Sequence, residues 1–192
     1  MYDMAPNGPL TPSPGTILPT GDWNEYIDIS GIKEICKVMI VIKSSIFPAS
    51  KDEVFNKLQK LKLLQYIAWP YATFTPVGEK ISVWRAGTSS AYKFKLFGII
   101  PFGTHKINVI SFDRDEGIYT HEGNENVPTW NHRIVLEDIS PDQCLYSDIV
   151  EIEAGWKTVF VYLWAKCFYA HRQKKWIRLL RNKAVSEEVM RG

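Results

Sequence analysis

A chain of 192 residues, 45% of them hydrophobic and 13% aromatic, suits a single globular domain with a sizeable core. Its net charge of +2 leaves no basic excess of the type that binds nucleic acid. Three cysteines, Cys36, Cys144 and Cys167, show no CxxC spacing, which points to reduced thiols in a cytoplasmic protein rather than a disulfide scaffold. No basic n-region followed by an apolar run opens the chain, so no signal peptide is expected.

Residues 1–36 form an N-terminal extension with two parts. Pro6, Pro9, Pro12, Pro14 and Pro19, interleaved with Gly8, Gly15 and Gly21, make the first 22 residues a loop-like arm. Trp23–Ile35 (WNEYIDISGIKEI) is apolar enough to dock on something. The domain proper spans 37–183, and 184–192 is expected to be a short polar tail.

The β-branched run Val38–Ser45 predicts a strand. Ser50 and Glu53 have the S-x-x-E spacing of a capping box, so a helix is predicted over Lys51–Lys60, with a second short one near Lys62–Ala68. Seven strand-like segments follow, separated by turn signals. They are Tyr71–Pro76, Lys80–Arg85, Ala91–Phe97, Thr104–Phe112, Ile118–Gly123, Thr129–Asp138 and Cys144–Glu153. Gly98–Gly103 (GIIPFG) lacks the Lys-Ser/Thr ending of a phosphate loop and predicts a hairpin loop at a cavity mouth, with Ile99, Ile100 and Phe102 exposed or acting as a lid.

The last long stretch, Gly155–Arg181, has no internal Gly or Pro and predicts one helix roughly 40 Å long, with Gly155 as its N-cap. Trp156, Val159, Phe160, Leu163, Cys167 and Ala170 share one face, which is expected to meet the sheet and its cavity. Tyr162, Tyr169, Trp176 and Leu180 form a second stripe, which is expected to need a cover. The candidates are Trp23–Ile35 or a second copy of the chain, so either a monomer or a homodimer is expected. Lys166 interrupts the apolar run, and a membrane span needs about 20 apolar residues, so none is expected. Seven basic positions from His171 to Lys183 are accounted for by the helix macrodipole, with weak contact to a membrane surface as the alternative.

One strand, two short helices, an antiparallel series and one long helix make an α+β fold. In it a curved sheet of about seven strands grips the C-terminal helix. Such a sheet around one helix leaves a concave apolar space, which is a typical ligand site. The element order resembles the SRPBCC superfamily, the START or Bet v 1-like helix-grip group. The resemblance is carried by VIKSSIFPASKDEVFNKLQKLKLLQYIAWPYATFTPV at its start. YKFKLFGIIPFGTHKINVISFD, HRIVLEDISPDQCLYSDIVEIEAGW and FYAHRQKKWIRLL are similar to its polyketide-cyclase-like, ligand-binding variety. It covers about Lys37–Lys183 and implies binding of lipids, polyketides or other apolar molecules, with no catalytic set carried over.

Period-two alternation places His105, Ile107 and Val109 on one face, and Trp130, His132, Ile134 and Leu136 on another. His121 joins them if it pairs opposite Val109, and three inward histidines would then raise the question of zinc. No carboxylate or cysteine lies at ligand spacing, so neither metal nor cofactor is expected. Asp148 shares the face of the apolar set Tyr146, Val150 and Ile152, which alternates with Ser147, Ile149, Glu151 and Glu153, so it would point inward among apolar neighbours. A hairpin register of even sum sets it against His132 or Ile134 inside the cavity, whereas an odd sum sets it against Arg133 or Val135 outside. The expected ligand-contact residues are Trp84, Tyr92, Phe94, His105, Ile107, Trp130, His132, Ile134, Asp148, Phe160, Leu163 and Trp164. The function expected is binding of an apolar or amphipathic small molecule. The alternatives are a cyclase or dehydratase using His132, Asp148 and Tyr92 as acid or base, and a partner-binding protein using the helix and its basic end.

Overall fold

The computed structural model describes residues 38–78 and 83–191. Strand β1 (Met39–Phe47) opens them. Ser50 then caps helix α1 (Lys51–Leu58), its hydroxyl accepting the Glu53 amide at 3.2 Å, which is one half of the predicted capping box. Helix α2 (Leu61–Ala68) follows. Six strands come next: β2 (Ala72–Val77), β3 (Ser89–Leu96), β4 (Ile100–Asp113), β5 (Gly117–Gly123), β6 (Thr129–Ser140) and β7 (Gln143–Glu153). A short 3-10 turn at Gly155–Lys157 leads into the long helix α3 (Thr158–Arg181), and α4 (Lys183–Arg191) closes the chain.

The seven strands form one curled antiparallel sheet in the order β1-β7-β6-β5-β4-β3-β2. Sequential strands pair through hairpins, and β1 pairs with the last strand, which gives the expected α+β architecture. The β3–β4 hairpin turns on Phe97 and Gly98, both at positive φ (52° and 73°), with the Ile99 amide donating to the Leu96 carbonyl at 3.1 Å. Two consecutive residues at positive φ give a twist that matches paired strands, and Ile99 completes a three-residue loop between the paired Leu96 and Ile100. The loop is therefore shorter than Gly98–Gly103. Ile99 and Ile100 are exposed at its tip, while Phe102 belongs to β4 and turns inward.

Several boundaries differ from expectation. Residues 80–82 of the expected strand Lys80–Arg85 lie outside the described residues. Val83 makes a single bridge to Lys60, and Trp84 is buried. Gly155 does not cap the long helix. Instead the Thr158 hydroxyl accepts the Ala154 amide at 2.9 Å and donates to the Gly155 carbonyl at 2.7 Å. The segment expected to be a polar tail is helix α4, whose first turn is capped by the Asn182 side chain accepting the Val185 amide. Val185 and Val189 pack against the core. The extension 1–36 lies outside the described residues.

The largest correction concerns how α3 sits. Ala165, Phe168, Tyr169, Arg172, Gln173, Trp176, Leu179 and Leu180 are its buried face. Trp156 (80% exposed), Phe160 (67%) and Leu163 (54%) look outward or rim the cavity mouth. Tyr169, Trp176 and Leu180 thus need no cover. An apolar count alone favoured the other face, because the buried one carries Arg172 and Gln173. Both have buried partners in the sheet, and that is what makes their burial tolerable.

The tightly packed end of the molecule lies where α1, α2 and the second half of α3 meet β1 and β7. Phe47 stacks on Tyr146 with ring centroids 4.5 Å apart, and Trp176 packs against both. Val54, Leu63, Ile67 and Leu179 fill the space around them. Burial of each such side chain contributes about 1.5–3 kcal/mol. Lys175 donates from Nζ to the Trp69 carbonyl at 2.8 Å, just past the end of α2. Part of the basic run therefore serves the C-terminus of a neighbouring helix rather than its own.

Candidate functional site

The other half of the interior is not filled. Between the concave face of the sheet and the first half of α3 lies a cavity of about 420 Å³. Alternation along β3–β6 lines it, as does the α3 stripe Phe160, Val161, Trp164, Phe168 and Tyr169. Nine of the expected residues line it: Trp84, Phe94, His105, Ile107, Trp130, His132, Ile134, Phe160 and Trp164. The other three do not. Tyr92 is buried behind the wall with its ring against Phe74 and Trp84. Leu163 is exposed, and Asp148 lies beneath His132, wholly buried.

Most of the wall is aromatic or aliphatic. Five polar side chains from β4, β5, β6 and α3, namely His105, Thr120, Glu122, His132 and Arg172, form a cluster in it, and Asn124 and Lys157 also line the cavity. Glu122 accepts from His105 Nε2 at 2.8 Å and from the Thr120 hydroxyl at 2.6 Å. Its Oε1 lies 3.9 Å from His132 Nδ1. On its far side His132 meets Asp148, Nε2 to Oδ1, at 2.8 Å. Asp148 also accepts from the Tyr146 hydroxyl at 3.1 Å and from Gln173 Nε2 at 2.9 Å. The Arg172 guanidinium donates to Tyr146 at 3.2 Å and stands 3.8 Å from Asp148. From His132 inward, Asp148, Tyr146, Gln173 and Arg172 form a buried, hydrogen-bonded network reaching the helix, and the Glu122 cluster faces it across the 3.9 Å gap.

The last hairpin has the even register: Ile134 pairs with Asp148 and His132 with Val150. That choice turns Asp148 inward and makes the His132–Asp148 contact. Burial by itself would raise the Asp148 carboxyl, but the Arg172 charge and the His132 hydrogen bond outweigh it and hold the group below its usual value. Glu122 behaves alike. Burial opposes ionisation, and the His105 hydrogen bond with the charges of His105 and His132 overrides it. Both groups are therefore carboxylates, acceptors only.

His121 does not join the cluster. An unbroken ladder from the β4–β5 turn would set it opposite Val109. A bulge between Val109 and Ser111 shifts the register, so that Val109 pairs with Thr120 and His121 with Asn108. His121 is exposed and bonds the Tyr119 hydroxyl at 3.0 Å. Three histidines thus do not converge, and among the described residues no group of His, Cys, Asp and Glu has a metal-holding arrangement.

Two members of the site escaped the sequence reading. Glu122 follows Ile118 and Thr120 at period two, a signal masked because the bulge was not visible. Arg172 lies four residues from both Phe168 and Trp176 on the buried face of α3, so its spacing was legible once that face was known.

Comparison with known proteins supports the fold and goes no further. No family model matches the chain, and no curated protein matches it. Solved structures do. A protein of Chromobacterium violaceum aligns at a TM-score of 0.58 and 11% identity, over 73% of this chain and 96% of that one. A START superfamily protein from Mycobacterium smegmatis aligns at 0.53 and 13%, over 74% and 97%. Norcoclaurine synthase from Thalictrum flavum, solved with dopamine and hydroxybenzaldehyde, aligns at 0.52 and 15%, over 88% and 96%. The chain has the helix-grip fold of START and Bet v 1-like proteins.

Proposed function

We propose that this protein binds an apolar or amphipathic small molecule, of lipid, polyketide or similar type, between the sheet and α3. The observation that carries the reading is the cavity itself. Its volume of about 420 Å³ falls in the range of small-molecule sites, and its wall is predominantly hydrophobic and aromatic with a few clustered polar groups. The fold agrees, since structural neighbours include a START superfamily protein and an enzyme solved with two small aromatic molecules. Trp84, Phe94, Ile107, Trp130, Ile134, Phe160 and Trp164 supply the apolar contacts, and His105 and His132 the polar ones. The odd cysteine count without pairing motifs is consistent with a cytoplasmic setting. Native mass spectrometry of the protein isolated from cell extract tests the reading. A retained small molecule, released on unfolding, is the expected result. Bare protein together with no binding from a panel of acyl chains and aromatic polyketides would refute it.

A second reading, acid–base chemistry on the bound molecule, is favoured by one contact. Asp148 holds His132 by Nε2, which leaves Nδ1 on the side of Glu122, and both residues line the cavity. Asp148 would then be a positioning residue, and Tyr92, set behind the wall, would take no part. Conversion of a panel ligand that is lost in His132→Ala would establish this reading. Binding without conversion leaves the first.

A further inference from the structure

The start of α3 carries an apolar stripe that points away from the sheet. Trp156, in the 3-10 turn, and Val159, Phe160 and Leu163 recur at spacings of three and four, which sets them on one side of the axis. All four are exposed. The Trp156 and Phe160 rings meet edge to face with centroids 6.5 Å apart, so the stripe begins as a built aromatic surface. A contiguous apolar patch of this type marks an interaction surface.

The place where the chain enters the fold favours one occupant. Met39 pairs with Ile152, so the N-terminus of β1 and the C-terminus of β7 lie at the same end of the sheet. Trp156 follows Ile152 by four residues, and the extension leaves from that same end. Only Cys36 and Lys37 separate Trp23–Ile35 from Val38. Those thirteen residues span at most roughly 45 Å when extended, far more than the single turn from Trp156 to Phe160. A tether this short holds the segment at an effective concentration on the order of mM beside the stripe, which a second copy of the chain would have to match.

Composition and charge agree. Trp23–Ile35 offers Trp23, Tyr26, Ile27, Ile29, Ile32 and Ile35 as apolar groups. It also carries Glu25, Asp28 and Glu34 against Lys33 alone, whereas α3 contains no acidic residue and has Lys157 and Lys166 beside the stripe. The other exposed apolar surface near the tether is the outer face of β1, with Ile40 and Ile42. There Glu137, Glu151 and Glu153 outnumber Arg133 on the neighbouring strands, and they repel an acidic segment.

We propose that Trp23–Ile35 docks in cis on Trp156 and Phe160 at the start of α3, its carboxylates toward Lys157 and Lys166. Two experiments on the full-length protein test this. In Trp23→Ser/Ile27→Ser, substitutions outside the folded domain, the Trp156 indole N–H resonance is expected to shift while that of Trp176 stays in place. Carbodiimide cross-linking of an equal mixture of nitrogen-15-labelled and unlabelled wild-type protein is expected to join Glu25, Asp28 or Glu34 to Lys157 or Lys166, with both peptides of one isotope, and these links are expected to be lost in the double variant. An unmoved Trp156 signal or the absence of such links overturns the proposal. Links between labelled and unlabelled peptides overturn it in favour of a second copy. A shift of the Ile42 methyl signals in place of Trp156 overturns it in favour of the outer face of β1.

Discussion

The most consequential single residue is Asp148. It is fully buried, and three neighbours, His132, Tyr146 and Gln173, donate to it. Removing one member of a buried charge pair strands the other, here the Arg172 guanidinium, at a cost of about 3–5 kcal/mol. Asp148→Asn is therefore expected to lower the free energy of unfolding by about that amount in urea titration; an unchanged midpoint would show that Arg172 does not depend on it. The acid response has a definite sign. Asp148 and Glu122 both have folded-state values below their ordinary ones. Their ionised forms thus stabilise the fold fully above about pH 5, and that contribution is lost as pH falls through the folded-state values. The stability gap between the wild type and Asp148→Asn is expected to narrow on acidification below about pH 4. A gap that widens there would reverse the assignment.

At the scale of elements, the α3 helix and strand β5 show what the sequence could and could not carry. Helix and strand existence was legible, because unbroken apolar periodicity predicts α3 and β-branched alternation predicts most of the sheet. The face of α3 was not. Its buried side includes Arg172 and Gln173, whose burial makes sense only with Asp148 opposite, and hairpin register decides where Asp148 points. The same limit applies to β5, where one bulge exchanges His121 for Thr120 and Glu122 on the inner face. Paired substitutions test the corrected face. Trp176→Ala, at the fully buried end, is expected to cost about 3–5 kcal/mol, whereas Leu163→Ala, more than half exposed, is expected to stay within about 0.5 kcal/mol. Thermal melts of the two variants suffice. A Leu163 variant as damaged as the Trp176 variant would restore the opposite orientation.

For the whole molecule, the division of the interior into a packed half and an open half underlies the proposed function. The packed half, around Phe47, Tyr146 and Trp176, holds α3 against the sheet. The open half, under the first part of the same helix, is roofed by Val161, Trp164 and Phe168 and floored by the β3–β6 wall. No helix among the described residues is long and apolar enough to cross a membrane. Tryptophans report on the division, because Trp84, Trp130, Trp156 and Trp164 border the cavity while Trp176 lies in the packed half and Trp69 on the surface. The most direct test is therefore the indole N–H region of a nitrogen–proton correlation spectrum, recorded while an apolar probe such as 2-(methoxymethyl)naphthalene is titrated in. Saturable shifts at Trp84, Trp130, Trp156 and Trp164, with Trp69 and Trp176 unmoved, are the predicted result. Shifts confined to Trp69 or Trp176, or no saturable shift with any apolar probe, would contradict the account.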